Sequence, residues 1–314
     1  MHAIEATALT KQFAKHKVVD GVDLTVQTGT LHALLGPNGS GKTTLVSMLA
    51  TLLNPTSGRA AICGFDTVHS PREVKRRIGL VGQFHAVDPR LTGRENLTMF
   101  ARLGGNDARS ARVLASDTLE RFGLTEAESR PVHTYSGGMR RRLDIIAGFI
   151  VRPTVLFLDE PTTGLDPHSR NQIYEHIEGF VKDGTTVLLT TQYLDEADRL
   201  ADSVTILDAG RVVTTGTPRE LTGKLGIGVD IDIRDITRIQ DLEGVVNRMG
   251  GVRTESARER SESSLSFVFD APSVSLLSIL RALDAEHIVV DDIGRRHATL
   301  DDVFLALTRA GATI

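Results

Sequence analysis

The chain has 314 residues, of which 40% are apolar and 24% are charged, and its formal net charge is −4. This balance predicts a soluble protein of about two domains. The chain contains no apolar run near the eighteen or so residues that cross a bilayer, and a single cysteine excludes a disulfide framework. Residues 1–20 also carry scattered charges in place of the apolar segment of a signal peptide, so we expect a cytoplasmic protein. With 4% aromatic residues and a weakly acidic balance, the sequence weighs against a broad nucleic-acid surface, and we expect no nucleic-acid partner.

A glycine-rich loop with the pattern G-x-x-x-x-G-K-T lies at residues 36–43, between a predicted strand at 31–35 and a predicted helix at 44–53. Its glycines let successive N–H groups turn inward, and the helix directs its positive dipole end to the same point, so the loop can hold a polyphosphate. In this pattern Lys42 reaches the β- and γ-phosphates, and the Thr43 hydroxyl holds Mg²⁺. The predicted nucleotide contacts are Gly36, Pro37, Asn38, Gly39, Ser40, Gly41, Lys42, Thr43 and Thr44.

The region between residues 84 and 151 is mostly helical in pattern. Near its end, Ser136-Gly137-Gly138 precedes apolar residues that recur on one helical face, and serine is a favoured N-cap. These residues therefore predict a second helix start that can bind an anion. Three arginines follow at positions 140–142, and we interpret most of them as the solvated face of this helix.

A continuous apolar run at residues 155–158 predicts a strand that is buried on both faces of a parallel sheet. Asp159 and Glu160 follow at its carboxyl end, where open α/β sheets bind their ligands. Asp159 is suited to assist Mg²⁺, and Glu160 is suited to polarise an attacking water. Alone, the two carboxylates could be a polar strand exit, but the phosphate-binding loop upstream favours the catalytic interpretation.

These motifs occur together in one known family. The glycine loop, Ser136-Gly137-Gly138, the strand that ends in Asp159-Glu160 and the segment Gly164-Leu165-Asp166 resemble an ATP-binding cassette (ABC) ATPase of the ABC transporter type, over roughly residues 3–222. The resemblance implies an α/β fold, namely a P-loop NTPase cassette with a RecA-like core and a helical subdomain at about residues 84–151. It assigns residues 1–222 to the cassette and leaves residues 223–314 for a small C-terminal α+β domain.

The resemblance also implies ATP and Mg²⁺ as ligands and a second copy of the cassette as a partner. In a head-to-tail homodimer, each ATP is held between the glycine loop of one copy and residues 136–138 of the other, with Asp166 at the interface. Phe13 matches the position where the family stacks an aromatic ring on adenine, with a core phenylalanine as the alternative. Gln83 matches the glutamine that touches Mg²⁺ and relays the nucleotide state, with an ordinary surface glutamine as the alternative. The relay leads to a separately encoded transmembrane permease, which places the chain at the cytoplasmic face of the cell membrane.

One position departs from the family pattern. After the apolar strand at 187–191, the family usually has a histidine that contacts the γ-phosphate, whereas this chain has Gln192. A glutamine amide donates a hydrogen bond but cannot titrate or carry charge. The residues alone leave the effect on turnover open. The stretch 191–197 resembles the daunorubicin-resistance type of drug exporter ATPases, in which glutamine is familiar here, and this resemblance implies a subgroup trait with hydrolysis intact.

After residue 218 the pattern changes to short elements in the order strand, helix, strand, helix, strand. They are predicted at residues 229–233, 242–249, 265–269, 276–283 and 288–290. This order is typical of a ferredoxin-like α+β domain. The closing segment 300–308 resembles the tail of the same exporter subgroup, and the domain is expected to support dimerisation or regulation, with simple packing as the alternative.

We therefore expect an ATP-binding and ATP-hydrolysing subunit of an ABC exporter, which powers efflux of a drug-like or lipid-like substrate through its permease. The alternative is a soluble ABC ATPase that acts on a macromolecular complex without transport. A regulatory protein that barely hydrolyses ATP is a further alternative, and only Gln192 suggests it.

Overall fold

A computed structural model of the protein describes residues 1–223, 227–254, 264–269, 274–296 and 299–304. The chain divides into two compact units, Met1–Val213 and Thr214–Ile314. The predicted division of the chain at residue 222 stays a prediction, and residues 305–308 of the predicted closing segment lie outside the described residues. Within the described ranges, no helix combines the length and the apolar character that crossing a bilayer requires.

The first unit, with its last strand continuing to Gly216, alternates strands and helices. In chain order these are β1 (His2–Phe13), β2 (His16–Gln27), β3 (Leu31–Leu35), α1 (Lys42–Leu49), β4 (Ser57–Ile62), β5 (Phe65–Asp66), α2 (Pro71–Lys75), β6 (Ile78–Val81), α3 (Gly93–Leu103), α4 (Ala108–Arg121), α5 (Gly137–Phe149), β7 (Val155–Asp159), α6 (Pro167–Lys182), β8 (Thr186–Thr191), α7 (Leu194–Leu200), β9 (Ser203–Asp208) and β10 (Arg211–Gly216).

A six-stranded sheet in the order β10-β9-β3-β8-β7-β6 forms the centre of this unit. Strand β3 pairs in parallel with β8 and β9, and β7 pairs in parallel with β6 and β8. Every residue of β3, β7 and β8 is buried, as expected for parallel strands that are covered on both faces. The carboxyl ends of β3, β6, β7 and β8 therefore meet at one edge of the sheet.

Two apolar cores cover the two faces of this sheet. In β7, Val155 and Phe157 join the core that contains α1 and the antiparallel sheet β2-β1-β4-β5. The alternate residues Leu156 and Leu158 join the core that contains residues of α3, α4, α5 and α6. This alternation explains why an uninterrupted apolar run is needed at this strand.

Helix α1 is shorter than the sequence predicts. It runs from Lys42 to Leu49 instead of reaching residue 53. Thr51 has a left-handed φ of 62°, a conformation that ends the helix although apolar residues continue beyond it. The predicted N-cap at Ser136 is confirmed, since its side chain accepts a hydrogen bond from the Met139 N–H.

The second unit contains a four-stranded antiparallel sheet in the order β12-β13-β11-β14. Its elements are α8 (Pro218–Gly223), β11 (Ile227–Ile233), α9 (Ile239–Arg248), β12 (Gly251–Thr254), β13 (Ser264–Phe269), α10 (Leu276–Ala285) and β14 (Val290–Arg296). The predicted α+β character is thus confirmed, but the predicted order lacks one strand. With β12 the order is strand, helix, strand, strand, helix, strand, which is the ferredoxin-like arrangement. The last predicted strand, at 288–290, is misplaced, because the strand begins at Val290 and extends through polar residues to Arg296.

A buried ion pair joins β14 to the helical residues 300–304 of the second unit. The Arg296 guanidinium donates to both carboxylate oxygens of Asp302, and it also donates to Asp230 at 3.1 Å. The side chains of Arg296 and Asp302 are 7% and 2% exposed. Burial alone would raise the pKa of Asp302, but the hydrogen bonds from Arg296 and the Thr299 N–H outweigh it and hold that pKa below its usual value.

We expect Asp302→Asn to lower the free energy of unfolding by about 3 kcal/mol near neutral pH, because it leaves a buried guanidinium without its main partner. The folded-state pKa of Asp302 is depressed, so the pair stabilises fully above the unfolded value of about 3.9 and its contribution disappears as pH falls through the folded pKa. Urea unfolding of the full chain between pH 3 and pH 7 measures both effects.

Asp291→Asn is the matched control, since Asp291 pairs with Arg234 at the surface, where the two side chains are 44% and 70% exposed. It should cost at most about 1 kcal/mol. Equal losses for the two variants, or a loss for Asp302→Asn that persists undiminished at low pH, would contradict this account.

Candidate nucleotide-binding and catalytic site

Two glycines of the loop after β3 are required by the fold itself. A Cβ on Gly36 would lie 2.2 Å from the Leu207 carbonyl oxygen, and the Gly36 N–H donates to Thr191 O at 3.3 Å. Gly41 has a φ of 104°, and a Cβ there would lie 2.5 Å from the Val18 carbonyl oxygen. The loop therefore packs tightly against its neighbours before any ligand is considered.

Lys42 is held inside the loop. Its ammonium donates to Gly36 O at 2.8 Å and to Pro37 O at 3.0 Å, and its Nζ lies 3.6 Å from Oε1 of Glu160. Burial lowers the pKa of Lys42, and the nearby carboxylates of Glu160 and Asp159 oppose this shift. The carbonyls and the carboxylates together keep the Lys42 ammonium charged in a largely buried position.

Asp159 receives two hydroxyl hydrogen bonds at the end of β7. Its Oδ1 accepts from the Thr43 hydroxyl at 3.3 Å and from the Thr190 hydroxyl at 2.5 Å. Asp159 is 3% exposed, so these donors replace water around the carboxylate. The glycine loop and the ends of β7 and β8 are thereby linked through one side chain.

Glu160 has an unusual backbone conformation for a residue with a long side chain. Its φ is 47°, in the left-handed region. Its N–H donates to both the carbonyl and the hydroxyl oxygen of Thr190, each at 3.1 Å, and its Oε2 accepts from the Thr163 hydroxyl at 3.3 Å. Such conformations persist where the surroundings fix them, and they occur often at functional sites.

The residues of this loop fit a nucleotide and a divalent cation. The Ser40 hydroxyl oxygen is buried, and among the described residues it has no hydrogen-bond partner. Gly39 has a φ of 82°, and a Cβ there would meet no protein atom within 4 Å. The hydroxyl of Thr43 and the carboxylate of Asp159 are the hard oxygen donors that Mg²⁺ prefers.

Gln83, Gly137 and Glu160 line one cavity of about 290 Å³, together with Arg141. Gln83 is exposed just beyond the carboxyl end of β6. The structure therefore brings a residue of the predicted second helix start close to the candidate catalytic carboxylate within one chain.

The other residues of the second helix start, Ser136 and Gly138, contact their own helix α5 and the neighbouring helix α6. A Cβ on Gly138 would lie 2.4 Å from the Ser169 hydroxyl oxygen, so α5 and α6 approach closely there. Asp166 caps α6 by accepting from the Ser169 N–H and hydroxyl at 3.0 and 2.7 Å, and these bonds lower its pKa. Across residues 1–223, no hydrogen bond joins residues 136–138 to the glycine loop.

Phe13 and Gln192 lie at the ends of two strands. Phe13 ends β1 and is 48% exposed, and the Lys11 ammonium lies 5.2 Å from the centre of its ring. Phe13 is therefore not a core phenylalanine. Gln192 is half-buried directly after β8, the strand that lies between β3 and β7.

Sequence reasoning missed two buried residues of the site. Thr190 follows the apolar run Val187–Leu189 in a strand that is buried throughout, and a polar residue at a buried position was the available signal. The interpretation of most of the three arginines as a solvated face does not extend to Arg141, which is 6% exposed and donates to backbone carbonyls, while Arg140 and Arg142 are half-buried. Asp144 follows Arg141 by three residues, and both charged residues lie on an apolar helical face. This spacing of opposite charges could have indicated that Arg141 is buried.

Thr190→Val should lower the free energy of unfolding by about 1–3 kcal/mol, because valine keeps the shape of the side chain but removes the hydroxyl partner of a buried carboxylate. Urea unfolding without nucleotide measures the loss. Thr190→Ser keeps the hydroxyl and should retain most of this stability. If serine costs as much as valine, the hydroxyl does not hold Asp159.

Known proteins resemble this chain in sequence and in fold. The family model described as ABC transporter matches residues 19–163. A daunorubicin resistance ATP-binding protein of Streptomyces coeruleorubidus is 47% identical over 308 residues, which cover 98% of this chain and 95% of that protein. A daunorubicin/doxorubicin resistance ATP-binding protein of Streptomyces peucetius is 46% identical over 307 residues, which cover 98% of this chain and 92% of that protein.

A solved structure of an ATP binding subunit of an ABC transporter resembles this one with a TM-score of 0.64. It is 28% identical, and the match covers 70% of this chain and 92% of that one. The resemblance drawn from the motifs, including the drug-resistance subgroup, is thus confirmed. The α/β nucleotide-binding fold, with the chemistry gathered where its parallel strands end, is that of an ATPase, and the chain belongs to the ABC transporter family as an ATP-hydrolysing subunit.

Proposed function

We propose that this chain binds MgATP, dimerises around it, hydrolyses it and thereby powers efflux of a drug-like or lipid-like substrate through a separately encoded permease. The observation that carries the proposal is the contact network of Lys42, Thr43, Asp159 and Glu160. It joins a phosphate-binding loop to two carboxylates where parallel strands end.

Each residue of this network has a distinct role in the proposal. Lys42 exchanges its loop carbonyls for the phosphates, while Thr43 and Asp159, with Gln83, hold Mg²⁺. The bound cation offsets the negative charge of the phosphates. Glu160 accepts a proton from the attacking water, and its 3.6 Å contact with Lys42 keeps that carboxylate beside the loop.

The dimer in this proposal is head to tail. Residues 136–138 form no hydrogen bond with the glycine loop within residues 1–223, so a second copy is the partner that would bring them to a nucleotide. The exposed start of α5, at Ser136 and Gly137, is open to such a contact, and exposed Asp166 at the start of α6 would line the same interface. Exposed Phe13 is available to stack on adenine.

The transported substrate and the location are inferred from relatives. The two relatives are named for daunorubicin or doxorubicin resistance, which supports a drug-like substrate for this chain. A permease supplies the membrane passage, with this chain at the cytoplasmic face of the membrane. Exposed Gln83 is the residue that would pass the nucleotide state to that partner.

Near-complete coverage of these relatives favours export over the soluble alternative that acts on a macromolecular complex. The regulatory alternative depends on Gln192. A glutamine amide at this place can still donate a hydrogen bond to a phosphate, so we propose that hydrolysis is intact.

Glu160→Gln should form a stable dimer with MgATP, because ATP still binds while the proton acceptor is lost and hydrolysis falls by about a hundredfold to ten-thousandfold. Light scattering measures the change from monomer to dimer. The same variant, added to native membranes with MgATP, should recover one multispanning protein.

Lys42→Met in the Glu160→Gln background is the control, and it should remain monomeric because the phosphates lose their buried cation. A dimer that forms equally well without ATP would contradict the nucleotide-bridged interface. Recovery of ribosomes or nucleic acid in place of a membrane protein would favour the soluble alternative.

Gln192→Ala should lower kcat by about a hundredfold, as expected for loss of one donor to the transition state, while Gln192→His should stay within a few-fold of the natural chain. Steady-state ATP hydrolysis by the purified chain measures this. If the natural chain shows no turnover and histidine rescues it, the regulatory alternative replaces the exporter proposal.

A further inference from the structure

Arg141 joins two segments of the candidate site through a single side chain. It lies on α5, directly after the second helix start, and it is 6% exposed. Its guanidinium donates to four backbone carbonyl oxygens: Pro161 at 2.7 Å, Gly82 at 2.8 Å, Glu160 at 3.1 Å and Asp159 at 3.2 Å. Three of these carbonyls belong to Glu160 and its two neighbours in sequence, and the fourth directly precedes Gln83.

The geometry of these bonds suits arginine alone. A guanidinium presents five N–H donors in a fixed plane, and here Nε, Nη1 and Nη2 each reach a different carbonyl or pair of carbonyls. Lysine has a compact ammonium whose three donors cannot span two separate segments in the same way. The side chain is therefore a rigid connection and not a general counter-charge.

The backbone at Glu160 needs such a connection. Its φ of 47° is costly for a residue with a Cβ, and it persists only where neighbouring groups fix it. Arg141 holds the carbonyls of residues 159, 160 and 161, and Thr190 holds the Glu160 N–H. These bonds determine where the Glu160 side chain leaves the backbone.

Helix α5 also holds the C-terminal end of the segment 82–87, which contains Gln83. Asp144, one turn after Arg141, accepts from the N–H groups of Ala86 and Val87 at 2.8 and 3.2 Å, and it also contacts the His85 ring. Residues 83–85 are thus bounded by Gly82, held by Arg141, and by Ala86, held by Asp144.

We propose that Arg141 is a positioning residue for ATP hydrolysis, which fixes Glu160 and the Gln83 segment to the helix that begins at Ser136-Gly137-Gly138. The inference rests on the proposed function and deepens it. Arg141 touches neither phosphate nor water in this account. It acts through the placement of Glu160. It also joins Glu160, the segment that contains Gln83 and the helix that begins at Ser136 into one rigid unit.

Arg141→Met should lower kcat for ATP by about a hundredfold, the usual cost of a displacement near 1 Å at a reacting group, with KM changed less than threefold. Arg141→Lys should recover only part of kcat. Arg140→Met is the matched control, because the Arg140 guanidinium donates to Tyr135 O at 3.5 Å and not to either segment. It should keep kcat near that of the natural chain.

Hydrogen exchange measured without nucleotide separates a positioning role of Arg141 from a loss of nucleotide binding. In Arg141→Met, backbone amides of residues 82–87 and 159–163 should exchange with deuterium about tenfold faster than in Arg140→Met, since exchange reports local opening. In a Glu160→Gln background, Arg141→Met should lower the residual single-turnover rate less than threefold, because residues that act together are not additive.

Unchanged kcat and unchanged amide exchange in Arg141→Met would overturn the inference, as would a full hundredfold further loss in the Glu160→Gln background. A rise in KM equal to the fall in kcat/KM would show a role in nucleotide binding and also overturn it. If the natural chain itself does not hydrolyse ATP, the proposed function fails, whereas faster exchange in Arg141→Met would still show that Arg141 fixes residues 82–87 and 159–163.

Discussion

Parallel pairing of β8 with β3 on one side and β7 on the other is the constraint on which the site depends. The register places Leu35 beside Thr191 and Asp159 beside Thr190. A shift of one residue would turn each side chain to the opposite face and would separate the Thr190 hydroxyl from Asp159. Apolar cores on both faces of these strands oppose any such shift, so packing far from the chemistry sets the geometry of the carboxylates.

Backbone carbonyl oxygens stabilise both buried cations of the site. Lys42 donates to two of them and Arg141 to four, whereas the nearest carboxylate contact of Lys42 is longer, at 3.6 Å. Burial lowers the pKa of Arg141, while the carboxylates of Asp144, Asp159 and Glu196 oppose that shift. Neutral carbonyls therefore accept most of the hydrogen bonds of these two cations, and the carboxylates of Asp159 and Glu160 accept from threonine hydroxyls instead.

The sequence predicted the elements whose signals are local. The glycine loop, the buried strand before Asp159 and the Ser136 cap are all set by residues within a few positions, and so are the strands and helices after residue 226 apart from β12. The sequence could not show that Thr190 holds Asp159, because their pairing depends on strand order. The end of α1 was also missed, since the apolar spacing continues past Leu49 while the backbone turns at Thr51.

Arg141 shows the limit of reading a helix face from composition. Three consecutive arginines suggest a charged outer surface, yet neighbouring positions on a helix point about 100° apart, so one of the three can face inward. Which one faces inward depends on where carbonyls are available, and those carbonyls belong to residues 82 and 159–161 in two other segments. No periodicity within α5 contains that information.

The site thus has a fixed part and a part that can exchange partners. Asp159, Thr190 and Arg141 are buried and bonded across segments, so moving any of them breaks several hydrogen bonds at once. Within the described ranges, Lys42 contacts two carbonyls of its own loop and Glu160, and Gln83 is exposed between Gly82, held by Arg141, and Ala86, held by Asp144. Under the proposed function, a bound nucleotide would change the partners of Lys42 and the position of exposed Gln83, while the strand that carries the carboxylates stays in place.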